Sequence, residues 1–454
     1  MQLTLSQVFE ALDYPGGRTA AAGPVFSSVA TDTRVLAPGA LFVALTSQKE
    51  DGHRFLPQAA AAGAAGFVVS RDIVPPRGFP VIRVADTTVA YGMIARYWRD
   101  RFHIPVIGIT GSVGKTSTKE LAACILESLG TVVKTEASQN TETGVPKTLL
   151  QITASTQAAV VEMGMRGLGQ IDQLARIAAP TVGIVTMIGD NHIELLGTKE
   201  AIAKAKSELI AALPADGLAV IPHDDTFVNL LRDAASCAVV TFGMSKGSDV
   251  TARSVRPKGT GWDFVVGKTK VHLPSPSRHD ISNFLAAWSA ARFAGVTEES
   301  LAHAAHTYQA APMRMEVIKT GTHGTILNDA YNAAPASVES ALGTLANYPG
   351  GRKIAVLGDM RELGAYTEAA HQKIGAVIEK LGSIDAVYTV GSLASSIPGA
   401  TARFSNSAEA AKFVKFELDM RRDDVFLVKG SRAVAMELVV QSLVTGKGLE
   451  QTAE

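Results

Sequence analysis

The residues best placed to do chemistry cluster in 110-TGSVGKTS-117. Gly111 and Gly114 allow a backbone to turn its N–H groups inward, Lys115 adds a full positive charge, and Thr116 offers a hydroxyl to a divalent cation. Ser112 and Ser117 complete the run. This is the chemistry of a phosphate-binding loop, although the usual spacing fails: the position six before the lysine is Ile109 rather than glycine. A purely structural glycine turn is the alternative. Three downstream side chains could supply a metal site. Glu162 ends the apolar run 159-AVVEMG-164, and a strand-end acid facing water is its bland counterpart. His192 follows 186-TMIGD-190. Lys206 lies in the apolar stripe Ile202, Leu209, Ile210 and Leu213 of the segment 198–213. Burial there would lower its pKa and leave a nucleophilic amine that CO₂ converts to an anionic carbamate. A lysine stem snorkelling past small alanines satisfies the same spacing.

These residues need strands and helices to hold them. The segment 104–109 is a predicted buried strand and 117–129 a predicted helix, so the glycines fall at a strand-to-helix turn. Apolar runs at 105–111, 158–164, 181–190 and 218–225 alternate with helical patterns, which is the signature of βαβ units around a parallel sheet. An acid at the carboxyl end of such a strand sits where ligands bind. Residues 250–274 alternate and carry glycine turns, which predicts an antiparallel appendage, followed by helices near 280–295 and 297–308. Short apolar runs at 41–45 and 66–70 around an Ala-rich helix predict a small α/β unit over residues 1–104. After a break at Pro312, strands at 353–360, 386–391 and 424–431 predict a second doubly wound unit. The expected fold is therefore α/β with three domains: 1–104, a central P-loop domain over 105–311 with a mainly parallel sheet, and a Rossmann-like domain over 312–454.

Composition narrows the function classes. The chain has 454 residues, 46% hydrophobic and 19% charged, with a formal net charge of zero. That balance argues against a dedicated nucleic-acid binder. Cys124 and Cys237 form no Cys-x-x-Cys spacing, so neither a zinc site nor a disulfide framework is expected and a reducing cytoplasm fits. The N-terminus lacks the pattern of a signal peptide, and no apolar run is long enough to span a bilayer.

The combination resembles the Mur ligases, the cytoplasmic amino-acid-adding enzymes of peptidoglycan synthesis. Their ATP loop has the short TG-x-x-GKT form, which accounts for the spacing of 110-TGSVGKTS-117. His192 and Lys206 resemble that family's metal-binding His and carbamylated Lys. The likeness continues through 279-HDISNFLAA-287, 314-RME-316 and 329-DAYNAAPAS-337. Within the family the chain is most similar to the branch that adds D-Ala-D-Ala, through 31-TDTRVLAPGALFVAL-45, 51-DGHRF-55, 140-NTETGVPKTLL-150, 356-VLGDMRELG-364 and 428-VKGSR-432. Thr33, Thr141, Met313 and Ala334 depart from the branch pattern without removing a charge from the catalytic set.

The resemblance implies an ATP-dependent ligase that phosphorylates the carboxylate of a UDP-MurNAc-tripeptide and passes the acyl phosphate to the amine of D-Ala-D-Ala. It implies phosphate contacts from Lys115 and the loop, and two Mg²⁺ sites drawn from Thr116, Glu162, His192 and carbamylated Lys206. Asn283 resembles the adenine contact, and Arg314 and Asp329 resemble the residues that bring the third domain onto the nucleotide. His371 and Lys429 are candidates for the incoming dipeptide, Asn332, which stands where sister ligases usually carry His, for a substrate contact, and Asp32 and Arg34 for the UDP-sugar, where a surface turn is the competing account. A monomer is expected. The rival readings are a sister ligase, a P-loop kinase or GTPase, and a non-catalytic nucleotide scaffold. The sister's Asp-Asn-Pro-Arg run and the GTPase's Asn-Lys-x-Asp run are both absent.

Overall fold

The computed structural model describes residues 1–14, 23–47, 50–73, 78–321 and 323–445. Its centre is a nine-stranded sheet. Val106–Thr110 is the third strand from one edge, between Thr156–Glu162 on one side and Val182–Val185 on the other, all parallel. Thr131–Lys134 closes one edge, and Leu218–Pro222 and Ala238–Gly243 continue the other in parallel. The strands are short β-branched runs buried on both faces, as crossover helices require. Helices Lys115–Leu126 and His279–Phe293 cover one face, where Ile107, Ile109, Ile184 and Phe284 form one core. Helices Gln170–Ala178 and Lys199–Ala211 cover the other, over Val106, Val161, Val185 and Leu209. The chain leaves Val106–Thr110 toward one edge and Thr156–Glu162 toward the other, so a crevice opens at the carboxyl ends of these strands.

Residues 250–274 differ from expectation. Val250–Lys258, Gly261–Val266 and Thr269–Leu273 are antiparallel to one another, yet they extend the central sheet rather than hang from it. The join is a short parallel pairing of Phe242 with Val250 and Gly243 with Thr251.

A four-stranded and a six-stranded sheet flank this centre, and Leu3–Thr4 pairs antiparallel with Val25–Phe26 in a separate two-stranded sheet. Val29–Ala30, Leu41–Val43, Gly66–Val69 and Val81–Arg83 form an all-parallel sheet of four. The third sheet has six strands, in the order Glu316–Lys319, Thr325–Asp329, Val425–Lys429, Lys353–Gly358, Ala386–Val390 and Ala402–Phe404. Only the first pair is antiparallel. The expected strands at 353–360, 386–391 and 424–431 are its centre. Among the described residues, no helix is long and apolar enough to cross a membrane.

Candidate active site

The phosphate-loop residues leave the central strand at Thr110 and enter the helix at Lys115. Two glycines are obligatory for local reasons. Gly111 has φ +149°, and a Cβ there would sit 1.8 Å from the Thr186 hydroxyl. Gly114 has φ +89°, and its Cβ would sit 2.5 Å from Asn283 Oδ1. Any side chain would break the loop's contact with the neighbouring strand end or with helix His279–Phe293. Thr186 Oγ1 donates to the Val113 carbonyl at 2.6 Å, and Ser112 Oγ accepts the Gly189 N–H at 2.9 Å. The loop is thus held against the segment that leads to His192.

Glu162 is 1% exposed and fully engaged. Its Oε2 accepts the Thr116 hydroxyl at 3.0 Å, and its Oε1 accepts the Asn140 amide at 2.8 Å. Its backbone N–H donates to Thr135 Oγ1 at 3.0 Å. Lys119 Nζ, completely buried, donates to the carbonyls of Thr135 and Ala137 at 2.8 and 3.0 Å and secures that segment from below. Lys115 Nζ donates to the Gly111 carbonyl at 2.7 Å. Water reaches part of Lys115, but its dense surroundings lower its pKa, against the pull of Glu162 and with help from the Arg314 charge.

Lys206 is 2% exposed on helix Lys199–Ala211. Among the described residues, no carboxylate or hydrogen-bond acceptor pairs with its Nζ. Burial, reinforced by the Lys115 charge, holds its pKa well below the usual lysine range. The amine therefore favours its neutral, nucleophilic form. His192 has φ +65° and stands at the start of helix Ile193–Leu196. Burial lowers its pKa; the Glu362 carboxylate opposes this, and Lys115 and Lys206 add to it. That carboxylate lies 2.8 Å from His192 Nδ1, at ion-pair distance but off the ring N–H axis.

From the third sheet, Arg314 Nη2 donates to Thr116 Oγ1 at 3.3 Å while its guanidinium stacks 4.0 Å from the Tyr331 ring centroid. Lys429 Nζ donates to Asp329 Oδ2 at 2.5 Å and to the Asn332 carbonyl at 3.0 Å. Asp329 Oδ1 also accepts the Met315 N–H. Asn283 is fixed at both ends: its amide donates to Asp280 Oδ1 at 2.9 Å and its Oδ1 accepts the Thr118 hydroxyl.

One cavity of about 1200 Å³ is lined by Gly111, Ser112, Gly114, Lys115, Thr116, Ser117, Glu162, His192 and Lys206 from the central sheet, with Asn283 from its covering helix. Arg314, Asp329, Asn332 and Lys429 line it from the third sheet. Three sequence candidates stand elsewhere. Asp32 and Arg34 form a bidentate surface pair, closest at 2.6 Å; the arginine is 83% exposed, and its hydrogen bonds draw the Asp32 carboxyl down to about 2. His371 is wholly buried, with Nε2 accepting the Met360 N–H and Nδ1 2.7 Å from the Thr367 carbonyl, so both ring nitrogens serve the fold. The sequence reading missed Asn140, Thr186 and Glu362 as site residues. All three lie in distinctive runs, 140-NTETGVPKTLL-150, 186-TMIGD-190 and 356-VLGDMRELG-364, but nothing local to any of them marks a contact made across the fold. Among the described residues, no three His, Cys, Asp or Glu side chains converge to hold a metal by themselves.

Comparison with known proteins agrees with this architecture. The Mur ligase middle domain profile matches residues 109–291, and the Mur ligase glutamate ligase domain profile matches 313–432. A UDP-N-acetylmuramoyl-tripeptide–D-alanyl-D-alanine ligase from Synechocystis sp. is 39% identical over 433 residues, 92% of each chain. The crystal structure of MurF from Acinetobacter baumannii superposes with a TM-score of 0.90 at 31% identity, covering 98% of this chain and 99% of that one. MurF ligase from Thermotoga maritima, solved in complex with ADP, gives 0.81 at 27% identity over 92% and 97%. With a short phosphate loop, a facing third sheet and relatives matched along nearly the whole length, the chain belongs to the Mur ligase family.

Proposed function

We propose that this chain joins D-alanyl-D-alanine to a UDP-N-acetylmuramoyl-tripeptide at the expense of ATP, through an acyl phosphate. The observation that carries this reading is the single cavity shared by Lys115, Glu162, His192 and Lys206 on one side and Arg314, Asp329 and Lys429 on the other. Residues 105–311 would bind ATP, 312–454 would bring the dipeptide and close on the nucleotide, and 1–104 would hold the UDP-sugar.

Phosphoryl transfer depends on positioning and charge neutralisation. Lys115 and the loop N–H groups hold the β- and γ-phosphates, and Arg314 reaches the same loop from the third sheet. Closure around them excludes water from the acyl phosphate. The dipeptide amine then attacks the acyl carbon, a C–N bond forms, and the C–O bond to phosphate breaks. The donors fit Mg²⁺, which takes oxygen ligands from one or two carboxylates and from substrate phosphates. Thr116 and Glu162 would hold one ion, and Glu162, His192 and Lys206 as its carbamate would hold a second. Bound there, the ions would neutralise the γ-phosphate and the acceptor carboxylate as they meet. The buried, unpaired Lys206 amine supports the carbamate, since the neutral amine's attack on CO₂ releases one Nζ proton and turns a group that would be an unfavourable cation there into an anionic ligand.

The test is phosphate release from ATP, Mg²⁺ and UDP-MurNAc-tripeptide, with and without D-Ala-D-Ala. Release that requires the dipeptide, with a UDP-MurNAc-pentapeptide by mass, is the expected result. A response to a single amino acid instead would move the chain to a sister activity. For the carbamate, Lys206→Ala should lower turnover and short carboxylic acids should restore part of it; loss with no rescue by any of them would count against the modification.

A further inference from the structure

The motif 356-VLGDMRELG-364 has no role in the chemistry above, and its construction is unusually rigid. Three successive backbone N–H groups are held by three different elements. Asp359 N–H donates to the Val390 carbonyl at 3.2 Å, Met360 N–H to His371 Nε2 at 3.1 Å, and Arg361 N–H to Ser431 Oγ at 3.0 Å. Asp359 Oδ1 in turn accepts the N–H groups of Leu393 and Ala394 at 3.0 and 2.8 Å. This explains the buried His371: it ties the loop down from helix Thr367–Leu381.

The next residue, Glu362, is delivered from this platform with φ +64°. A left-handed backbone is unfavourable for a non-glycine residue and persists where the surroundings enforce it. Its carboxylate crosses to the central sheet and reaches His192 Nδ1 at 2.8 Å, and His192 is itself left-handed. Beside them the turn Gly364–Tyr366 packs on helix Ile193–Leu196, so close that a Cβ on Gly364 would lie 3.3 Å from Glu194 Cγ. Among the described residues, Glu362 has no other partner. A solvated ion pair would need neither the locked platform nor two strained residues facing each other.

We propose that Glu362 is a positioning residue for His192, supplied by the third sheet: a small turn of the ring brings the Nδ1 N–H onto this carboxylate, which then keeps the proton on Nδ1 so that Nε2 keeps a lone pair for a cation. This rests on reading His192 as a cation ligand. A carboxylate behind a ligating imidazole fixes both the tautomer and the ring orientation. The site is then completed only when the third sheet lies against the central one, which couples ligand geometry to closure.

The experiment uses full-length protein with ¹⁵N-labelled histidine, comparing wild type with Glu362→Ala, Glu362→Gln and, for assignment, His192→Asn. The His192 ring in wild type should show a protonated Nδ1 and a bare Nε2. Glu362→Ala should move it toward the Nε2–H form and weaken Mn²⁺ binding in the presence of ADP about tenfold. Glu362→Gln, which keeps an acceptor oxygen, should fall between them, with melting temperatures unchanged for this half-exposed side chain. A ring spectrum untouched by Glu362→Ala overturns the proposal, as does Mn²⁺ affinity lost in His192→Asn but kept in Glu362→Ala. Mn²⁺ affinity untouched by His192→Asn would withdraw the cation reading itself, and the proposal with it.

Discussion

The central sheet is joined to its two neighbours by very different chemistry. On the N-terminal side, helix Thr87–Arg99 packs on helices Gly144–Leu149 and Gln170–Ala178. Trp98, 6% exposed, donates its indole N–H to the Ile152 carbonyl at 2.9 Å. The buried Arg99 guanidinium donates to the carbonyls of Ala178, Ala179 and Phe102 at 2.9–3.0 Å, and Arg96 donates to that of Arg176. Two arginines thereby cap the end of a helix whose last carbonyls would otherwise be unpaired. On the other side, the third sheet reaches the central one through Arg314 to Thr116 and Glu362 to His192, around the rim of the cavity. The first junction buries apolar surface, and among the described residues its carbonyls have no other partner. The second uses charged groups that water can serve as well. The difference teaches which junction holds the molecule together and which rests on contacts that water can replace.

Breaking the first junction should give the largest effect, on stability. Trp98→Ala removes a buried indole and leaves the Ile152 carbonyl without its donor, at a cost of about 3–5 kcal/mol. Thermal melting should fall accordingly, while turnover per folded molecule stays unchanged. Unaltered melting would mean that this junction is not the structural one. The second junction should respond in the opposite way. Arg314→Ala deletes the bond to the loop hydroxyl and the contact over Tyr331, and kcat/KM should drop about a hundredfold, as for loss of one preorganised donor. Its melting curve should barely move. If Arg314→Ala melted early and kept its activity, the contrast between the junctions would be reversed.

The same contrast explains what the sequence made legible. The loop, Glu162 and Lys206 carry local marks, a glycine pair before lysine, a strand end and a charged residue in an apolar stripe, whereas His192, a lone histidine on a loop, stood out only through its neighbours. The central strands announced themselves as β-branched runs. Glu316–Lys319 and Ala402–Phe404 did not, because they are short edge strands, only partly buried, with no apolar run to mark them. Thr325–Asp329 is buried but ends in Asn-Asp, which reads as a turn. Residues 250–274 looked detached because their alternation is antiparallel; the two-residue pairing that joins them to the sheet has no sequence signature. The partners of the charged residues were the least legible. Glu362 lies 170 positions from His192, and only folding brings them together. His371 looked like a binding histidine because it sits in a distinctive motif, yet its neutral ring serves that motif's backbone.

The smallest expected effect separates the junctions by pH. The first relies on guanidinium and indole groups that do not titrate between pH 5 and 8. The second contains His192, whose pKa is lowered from 6.5, chiefly by burial, with Glu362 opposing and Lys115 and Lys206 assisting. Below 6.5 the unfolded chain takes up a proton that the folded site resists. Stability from this residue is therefore fully present above pH 6.5 and declines as pH falls through the window beneath it. Melting temperatures should drop between pH 7.5 and 5.5 more in wild type than in His192→Asn, which has no imidazole to charge. In Trp98→Ala the pH slope should match wild type although the whole curve lies lower, because the lost contacts do not titrate. Equal slopes in wild type and His192→Asn would place the pH response elsewhere and remove the titrating group from the second junction.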